Sequence, residues 1–194
     1  MYGGSQGDMY ITCATIMQSF FLMITMPLGG ITGGTQSILG YNFGAGNVER
    51  IRQALRMIVF LCLLFNAVMM AVAFTFSPVF VRMFTSNAQY AEISVWAIKI
   101  SVLGLIPLAL QYPFVDAFTG MGLPMYALPL SFLRKFNYLL LLFVLPVIWG
   151  AKMVFYVEPI VDTMAGIITT IVFASKINGL LRRRKLEKEA EDEL

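Results

Sequence analysis

The chain has 194 residues, 58% of them hydrophobic and 13% charged, with fourteen Lys and Arg against eleven Asp and Glu. Its mean hydropathy of +0.76 means more apolar surface than one small soluble core can hide, which excludes a water-soluble globular domain and points to the membrane. There is no histidine, so imidazole chemistry is absent; with no nucleophile elbow, phosphate loop or dinucleotide fingerprint either, neither an enzyme nor a bound cofactor is expected.

The first eight residues, "MYGGSQGD", lack the basic flank of a secretory signal and read as a short exposed loop. Apolar windows follow at about 9–39, 55–81, 93–115, 124–148 and 155–177, each reaching the roughly 20 residues that an α-helix needs to cross the hydrocarbon core. Runs such as "LLLLFVLPVIW" do not alternate as porin strands do. The expected fold is all-α and polytopic: five transmembrane helices form one lobe over residues 1–180, and a charged tail occupies 181–194.

Within the first span, "PLGGITGGTQ" places Pro27 beside Gly29, Gly30, Gly33 and Gly34, a pattern that interrupts a membrane helix with a bend or gives it a close-packing face. "GYNFGAGNVER" follows. Gly40, Gly44 and Gly46 allow backbone conformations and approaches that side chains block, Asn47 can cap the next helix, and Glu49 lies near the positive end of its dipole. Arg50, Arg52 and Arg56 then anchor that helix at the headgroups. The stretch is either a well-built turn or a working hinge. Cys13 and Cys62 sit in separate apolar windows and read as small packing residues.

In the third span Lys99 stands two turns after Glu92; it either counters an acid on a neighbouring helix or snorkels to the interface. Asp116, near the end of that span, could exchange a proton or hold a cation with Gln111 or Tyr112, or serve as an interfacial cap beside the Gly120–Gly122 turn. Arg134 and Lys135 follow Pro129, which suggests that the fourth crossing begins at about residue 131 and that both are cytoplasmic anchors. Glu158 and Asp162 are four apart at the start of the last helix and share a face. They are either a cation-binding pair or dipole partners, with Glu158 near the outer surface. The tail "RRRKLEKEAEDEL" reads as a basic stop followed by a solvated acidic end, and nothing in it suggests nucleic-acid binding.

Eleven of the fourteen cations lie on one side: Arg50, Arg52, Arg56, Arg134, Lys135, Lys176, Arg182, Arg183, Arg184, Lys185 and Lys188. Arg82 and Lys152 lie on the other, so the positive-inside rule sets the N-terminus outside and the C-terminus in the cytoplasm of a plasma-membrane protein.

Three stretches resemble a known family. "GGITGGTQSILGYNFGAGNVERIRQAL", with its glycines, Gln36, and Asn42 within "GYNFGA", resembles the second helix and following cytoplasmic loop of a lobe in the multidrug and toxic compound extrusion family. "AIKISVLGLIPLALQYPFVDAFTGMGLP" resembles that family's fourth helix of a lobe, and "VFYVEPIVDTMAGII", with Pro159 to Asp162 intact, the opening of its last helix. The resemblance implies an antiporter of twelve helices in two lobes that exports amphipathic cationic drugs in exchange for sodium ions or protons. With five helices, this chain resembles the C-terminal portion, and the expected partners are a drug-like small molecule, membrane lipid and the N-terminal lobe.

Candidate substrate and ion-coupling residues are then Asp116, Asp162, Glu158, Gln111, Tyr112, Lys99 and Gln36. The loop-motif candidates are Gly29, Gly30, Gly33, Gly34, Gly40, Asn42, Gly44 and Gly46. Thirteen Met and sixteen Phe suit an adaptable drug cavity and equally a lipid-facing surface. Two alternatives stand beside export: a flippase of lipid-linked saccharides on the related fold, which should show a basic cavity where only Lys99 is expected to lie deep, and a non-transporting membrane fragment.

Overall fold

The computed structural model describes residues 5–193, and helices dominate them. Five helical stretches are long and apolar enough to cross a membrane. The first is α1, Ser5–Gly44. At 1.5 Å per residue its forty residues run about 60 Å, twice the hydrocarbon thickness. Part of the expected opening loop is therefore helical, from Ser5 onward; residues 1–4 lie outside the described residues. The helix also runs unbroken through Pro27 and the glycines, because residues on either side keep their own ladder bonds when one N–H is lost.

Two turns of the same construction fold the spans back on one another. Gly46 (φ +68) ends α1, with Asn47 N–H donating to the Asn42 carbonyl at 2.8 Å and Gly46 N–H to that of Phe43 at 3.1 Å. This is the left-handed C-terminal cap that glycine enters without steric cost. Gly122 (φ +72) repeats it, with Leu123 N–H donating to Phe118 and Gly122 N–H to Thr119. Pro124 then opens the next helix, where a missing N–H costs nothing. Asn47 precedes α2, Val48–Arg82, but its side chain makes no capping bond: the tight turn holds it at ψ 72, outside the extended region from which a cap reaches the first N–H groups.

The third span is compound. α3, Ala88–Ser101, is capped by Asn87, whose side chain accepts from Gln89 N–H and Tyr90 N–H. It tightens at Val102–Gly104 and continues as α4, Leu105–Gly120. Pro107 explains the tightening, since it cannot donate to Leu103 and its ring crowds that carbonyl. α5 spans Pro124–Trp149. Gly150 (φ +91) and a tight turn, Ala151–Tyr156, lead into α6, Val157–Asp192.

Glycines set the closest helix contacts. A Cβ on Gly166 of α6 would lie 2.5 Å from the Pro107 carbonyl oxygen, and one on Gly104 would lie 2.8 Å from Pro159 Cα. On the other flank of α4, a Cβ on Gly120 would lie 2.7 Å from the Gln36 carbonyl oxygen of α1, and one on Gly40 would lie 2.5 Å from that of Gly120. α4 is thus held between α1 and α6 by backbone-close packing of the kind membrane helices use. Phe118 and Phe155 are fully buried, and Phe114 stacks on Phe173 at 4.3 Å between α4 and α6. α5 is the least embedded helix, with Phe132, Phe136, Leu139 and Phe143 exposed.

The charged end does not leave the fold. α6 continues to Asp192, because "RRRKLEKEAEDEL" is built of strong helix formers with pairs such as Arg183–Glu187 and Lys188–Asp192 one turn apart. Arg184 reaches back to α1, donating to the Gly44 carbonyl at 2.7 Å and the Phe43 carbonyl at 3.3 Å. A cation at a helix C-terminus satisfies orphan carbonyls and complements the dipole.

Candidate functional site: a buried charge centre and its cavity

The close approach of α6 to Gly104 places Glu158 and Asp162 inside the helix bundle, at 5% and 0% exposure. They project from one face, as their spacing predicts, toward Arg134 of α5. Asp162 Oδ1 accepts from Nε of that guanidinium at 2.9 Å and stands 2.8 Å from its Nη2 in the ion pair. Glu158 Oε2 stands 4.0 Å from the same Nη2, and its Oε1 accepts from Gln18 Nε2 of α1 at 3.1 Å. The guanidinium lies 5.9 Å from the centre of the Tyr112 ring, within cation–π reach.

Arg134 is therefore no headgroup anchor. α5 begins at Pro124 rather than near residue 131, so Arg134 lies about 15 Å along it, with its side chain only 14% exposed. Pro129 failed to mark a boundary because its lost bond falls in the first turns, where carbonyls have other partners. Glu158, which follows the Ala151–Tyr156 turn, is buried among the helices at 5% exposure. Isolated charges at such depth cost about 2.5–3.5 kcal/mol each on insertion scales, which is why the three meet. Two carboxylates share one guanidinium, and the Lys135 ammonium lines the adjoining space beside Glu158. The open valences of the centre are Asp162 Oδ2 and Gln18 Oε1, both buried and without a hydrogen-bond partner among the described residues.

Beside this centre, Gln111, Tyr112, Val115, Asp116, Ser131, Arg134 and Lys135 line an open cavity of about 200 Å³ between α4 and α5. The expected trio Gln111, Tyr112 and Asp116 is thus brought together. Gln36 joins it, donating from Nε2 to Asp116 Oδ1 at 2.9 Å, a contact that the glycine crossing one turn away makes possible. A second space of about 80 Å³ lies between Gln18, Arg134, Lys135, Tyr138 and Glu158.

Lys99 belongs elsewhere, in a groove with Arg82, Glu92 and Trp96. A Cβ on Gly29 would lie at an ordinary 3.9 Å from Tyr112 Cε1, while one on Gly30, Gly33, Gly34 or Gly44 would meet nothing within 4 Å among the described residues. Among the loop-motif glycines the structure gives a close contact to Gly40 and a positive φ to Gly46. Asn42 donates to the Ile38 carbonyl of its own helix. Cys13 and Cys62 are buried free thiols. Gln18, Arg134 and Lys135 were missed as site residues. Gln18 had left a signal, as a carboxamide in the middle of an apolar run.

The model of the MatE family matches residues 1–139. The chain belongs to that family. A 97-residue part of this MatE chain is 33% identical to the "Probable multidrug resistance protein NorM" of Thermotoga maritima, covering 50% of this chain and 21% of that protein. The fold matches the Vibrio cholerae MATE transporter VcmN in its bent form, with a TM-score of 0.77 at 21% identity over 90% of this chain and 39% of that one. It matches equally an inward-facing multidrug resistance MATE transporter of the MOP superfamily, with a TM-score of 0.77 at 18% identity over 90% of this chain and 43% of the other. The chain therefore spans about a fifth of the relative's length and about two fifths of the solved transporters. The family resemblance is borne out, with the first two of the three motifs inside the matched residues, as is an all-helical, multi-pass membrane fold.

Proposed function

We propose that this MatE chain is the C-terminal lobe of a multidrug antiporter and that the Glu158–Arg134–Asp162 centre is where a sodium ion or proton couples to export. The observation that carries this reading is a pair of buried carboxylates on one guanidinium, with Asp162 Oδ2 left without a partner among the described residues and open to an exchangeable cation in a low-dielectric interior. When the cation binds, Asp162 and Glu158 hold Arg134 less strongly. α5, the least embedded helix and joined to α6 through Gly150, is then free to move against its neighbours. Alternation between inward-open and outward-open states follows if the two charge states favour different packings.

The order of the three motifs supports the C-terminal placement. In this reading residues 1–180 are the membrane lobe and 181–194 the charged cytoplasmic tail, whose residues 181–192 continue α6. With Arg134 and Lys135 withdrawn from the cytoplasmic tally, nine loop and tail cations still oppose Arg82 and Lys152, which keeps the N-terminus outside. The exported class is amphipathic cations, drawn from lipid or cytoplasm into the space between this lobe and its N-terminal counterpart. A saccharide flippase is the weaker reading: Arg134 is neutralised by its acids, which leaves Lys135 alone where anionic headgroups would need several cations.

The test is efflux of ethidium from vesicles containing the native protein, driven by a sodium or proton gradient. Asp162→Asn and Glu158→Gln should each cut gradient-dependent efflux by about tenfold or more with the protein still in the membrane. Undiminished efflux in both variants refutes the site, and no efflux by the unaltered protein favours a non-transporting assembly.

A further inference from the structure

Lys99 lies apart from the charge centre, in an open groove of about 390 Å³ between α2 and α3. Pro78 and Arg82 line it from α2, and Glu92, Val95, Trp96 and Lys99 from α3. Glu92, Trp96 and Lys99 recur at steps of four and three residues, so they form one stripe along α3. Trp96 is held in that stripe by edge contacts with Phe155 and Tyr156, both at 5.7 Å. Arg82, Glu92 and Lys99 close no ion pair among the described residues. The neighbouring turns of α2 expose Phe76, Val79 and Met83, as a helix facing lipid does.

Helix geometry sets the level of these charges. The span Ala88–Gly120 has 33 residues and runs about 50 Å, so about 10 Å at each end stands beyond a hydrocarbon core of about 30 Å. Lys99 starts about 17 Å along it, just inside the hydrocarbon, and Glu92 about 10 Å nearer the headgroups. Side chains tilt toward the N-terminus of their own helix. Those of α3 therefore lean toward the headgroups and those of the antiparallel α2 lean into the membrane, so Lys99 and Arg82 converge where lipid phosphates lie, with Glu92 beyond them.

We propose that this groove binds a phospholipid whose headgroup joins a phosphodiester to a primary ammonium, as in phosphatidylethanolamine. Lys99 and Arg82 hold the phosphodiester, Glu92 the ammonium, and Trp96 packs beside the glycerol backbone at the depth that indole favours. With the N-terminus outside, the lipid belongs to the outer leaflet. Phosphatidylcholine keeps the phosphate, but its trimethylated ammonium has no N–H to donate; phosphatidylglycerol brings no cation to Glu92. Each leaves one charge of the groove less well matched.

Native mass spectrometry of the native protein, titrated in detergent with each of these three lipids, counts bound lipid directly. It needs neither an ion gradient nor an exported compound, so a failure of coupling at Asp162 leaves the readout unaffected. One site should bind phosphatidylethanolamine about tenfold more tightly than the other two lipids, a difference of about 1.4 kcal/mol. Glu92→Gln should remove that preference by weakening phosphatidylethanolamine alone, Lys99→Met should weaken all three lipids, and Lys99→Arg should retain both binding and preference. Equal affinities, tighter binding of phosphatidylglycerol, no retained lipid, or a preference that survives Glu92→Gln overturns the proposal.

Discussion

Replacing Arg134 with leucine should destabilise the protein more than any single change at a surface cation, and the structure sets the scale. The guanidinium donates one hydrogen bond of 2.9 Å to Asp162 Oδ1 and brings Nη2 to 2.8 Å of the same oxygen, on a residue with no solvent exposure, and it faces Glu158 at 4.0 Å. Removing it leaves two buried carboxylates with only Gln18 as a donor. Breaking a buried pair from one side costs about 3–5 kcal/mol, which corresponds to a fall in melting temperature on the order of 10 °C for a unit of this size. Taking out Asp162 as well, in Arg134→Leu/Asp162→Leu, removes one stranded charge and should recover about half of that loss. The two buried free thiols, Cys13 and Cys62, supply the assay: a thiol-reactive fluorophore reports their exposure as the protein unfolds in detergent. Losses that simply add across the cycle, with no coupling energy above about 0.5 kcal/mol, would refute the pairing.

The glycine contacts make a second prediction: Gly166→Ala forces a Cβ to within 2.5 Å of the Pro107 carbonyl and should cost about 1–3 kcal/mol in the same melting assay, whereas Gly30→Ala, with open space around it, should be neutral or slightly stabilising. Arg184→Ala removes both donors from the last carbonyls of α1 and should cost about 1 kcal/mol locally; amide exchange at residues 44–48 should rise while the core of α4 stays protected.

The five crossings were legible because a run of twenty apolar residues has few other homes, and the turns at Gly46 and Gly122 were legible because glycine sits where backbone geometry needs it. The acid pair was legible as a pair, from its four-residue spacing. What it faces was not. Arg134 pairs with Asp162 across 28 residues of chain, and its local context, a proline followed by "RK" and Asn137, imitates the end of a membrane span. In sequence a buried cation and a headgroup anchor look alike until the partner helix is in place. Asp116 and Gln36 show the same limit: both stood out as polar residues, but their bond depends on the Gly40–Gly120 crossing. Lys99, equally conspicuous, faces a different groove, because periodicity fixes a residue's face and not what packs against that face. The tail's charge was legible and its helical form was not, since its i,i+4 charge pairs favour helix as strongly as they favour water.

The central claim is that cation movement and compound export pass through one charge centre. The most direct measurement follows ethidium release and cation uptake together in proteoliposomes of the native protein, with an entrapped pH- or sodium-sensitive dye. The account predicts that cations enter only while compound leaves and that Asp162→Asn abolishes both movements. Cation-independent export, or tight coupling preserved in Asp162→Asn, would contradict it.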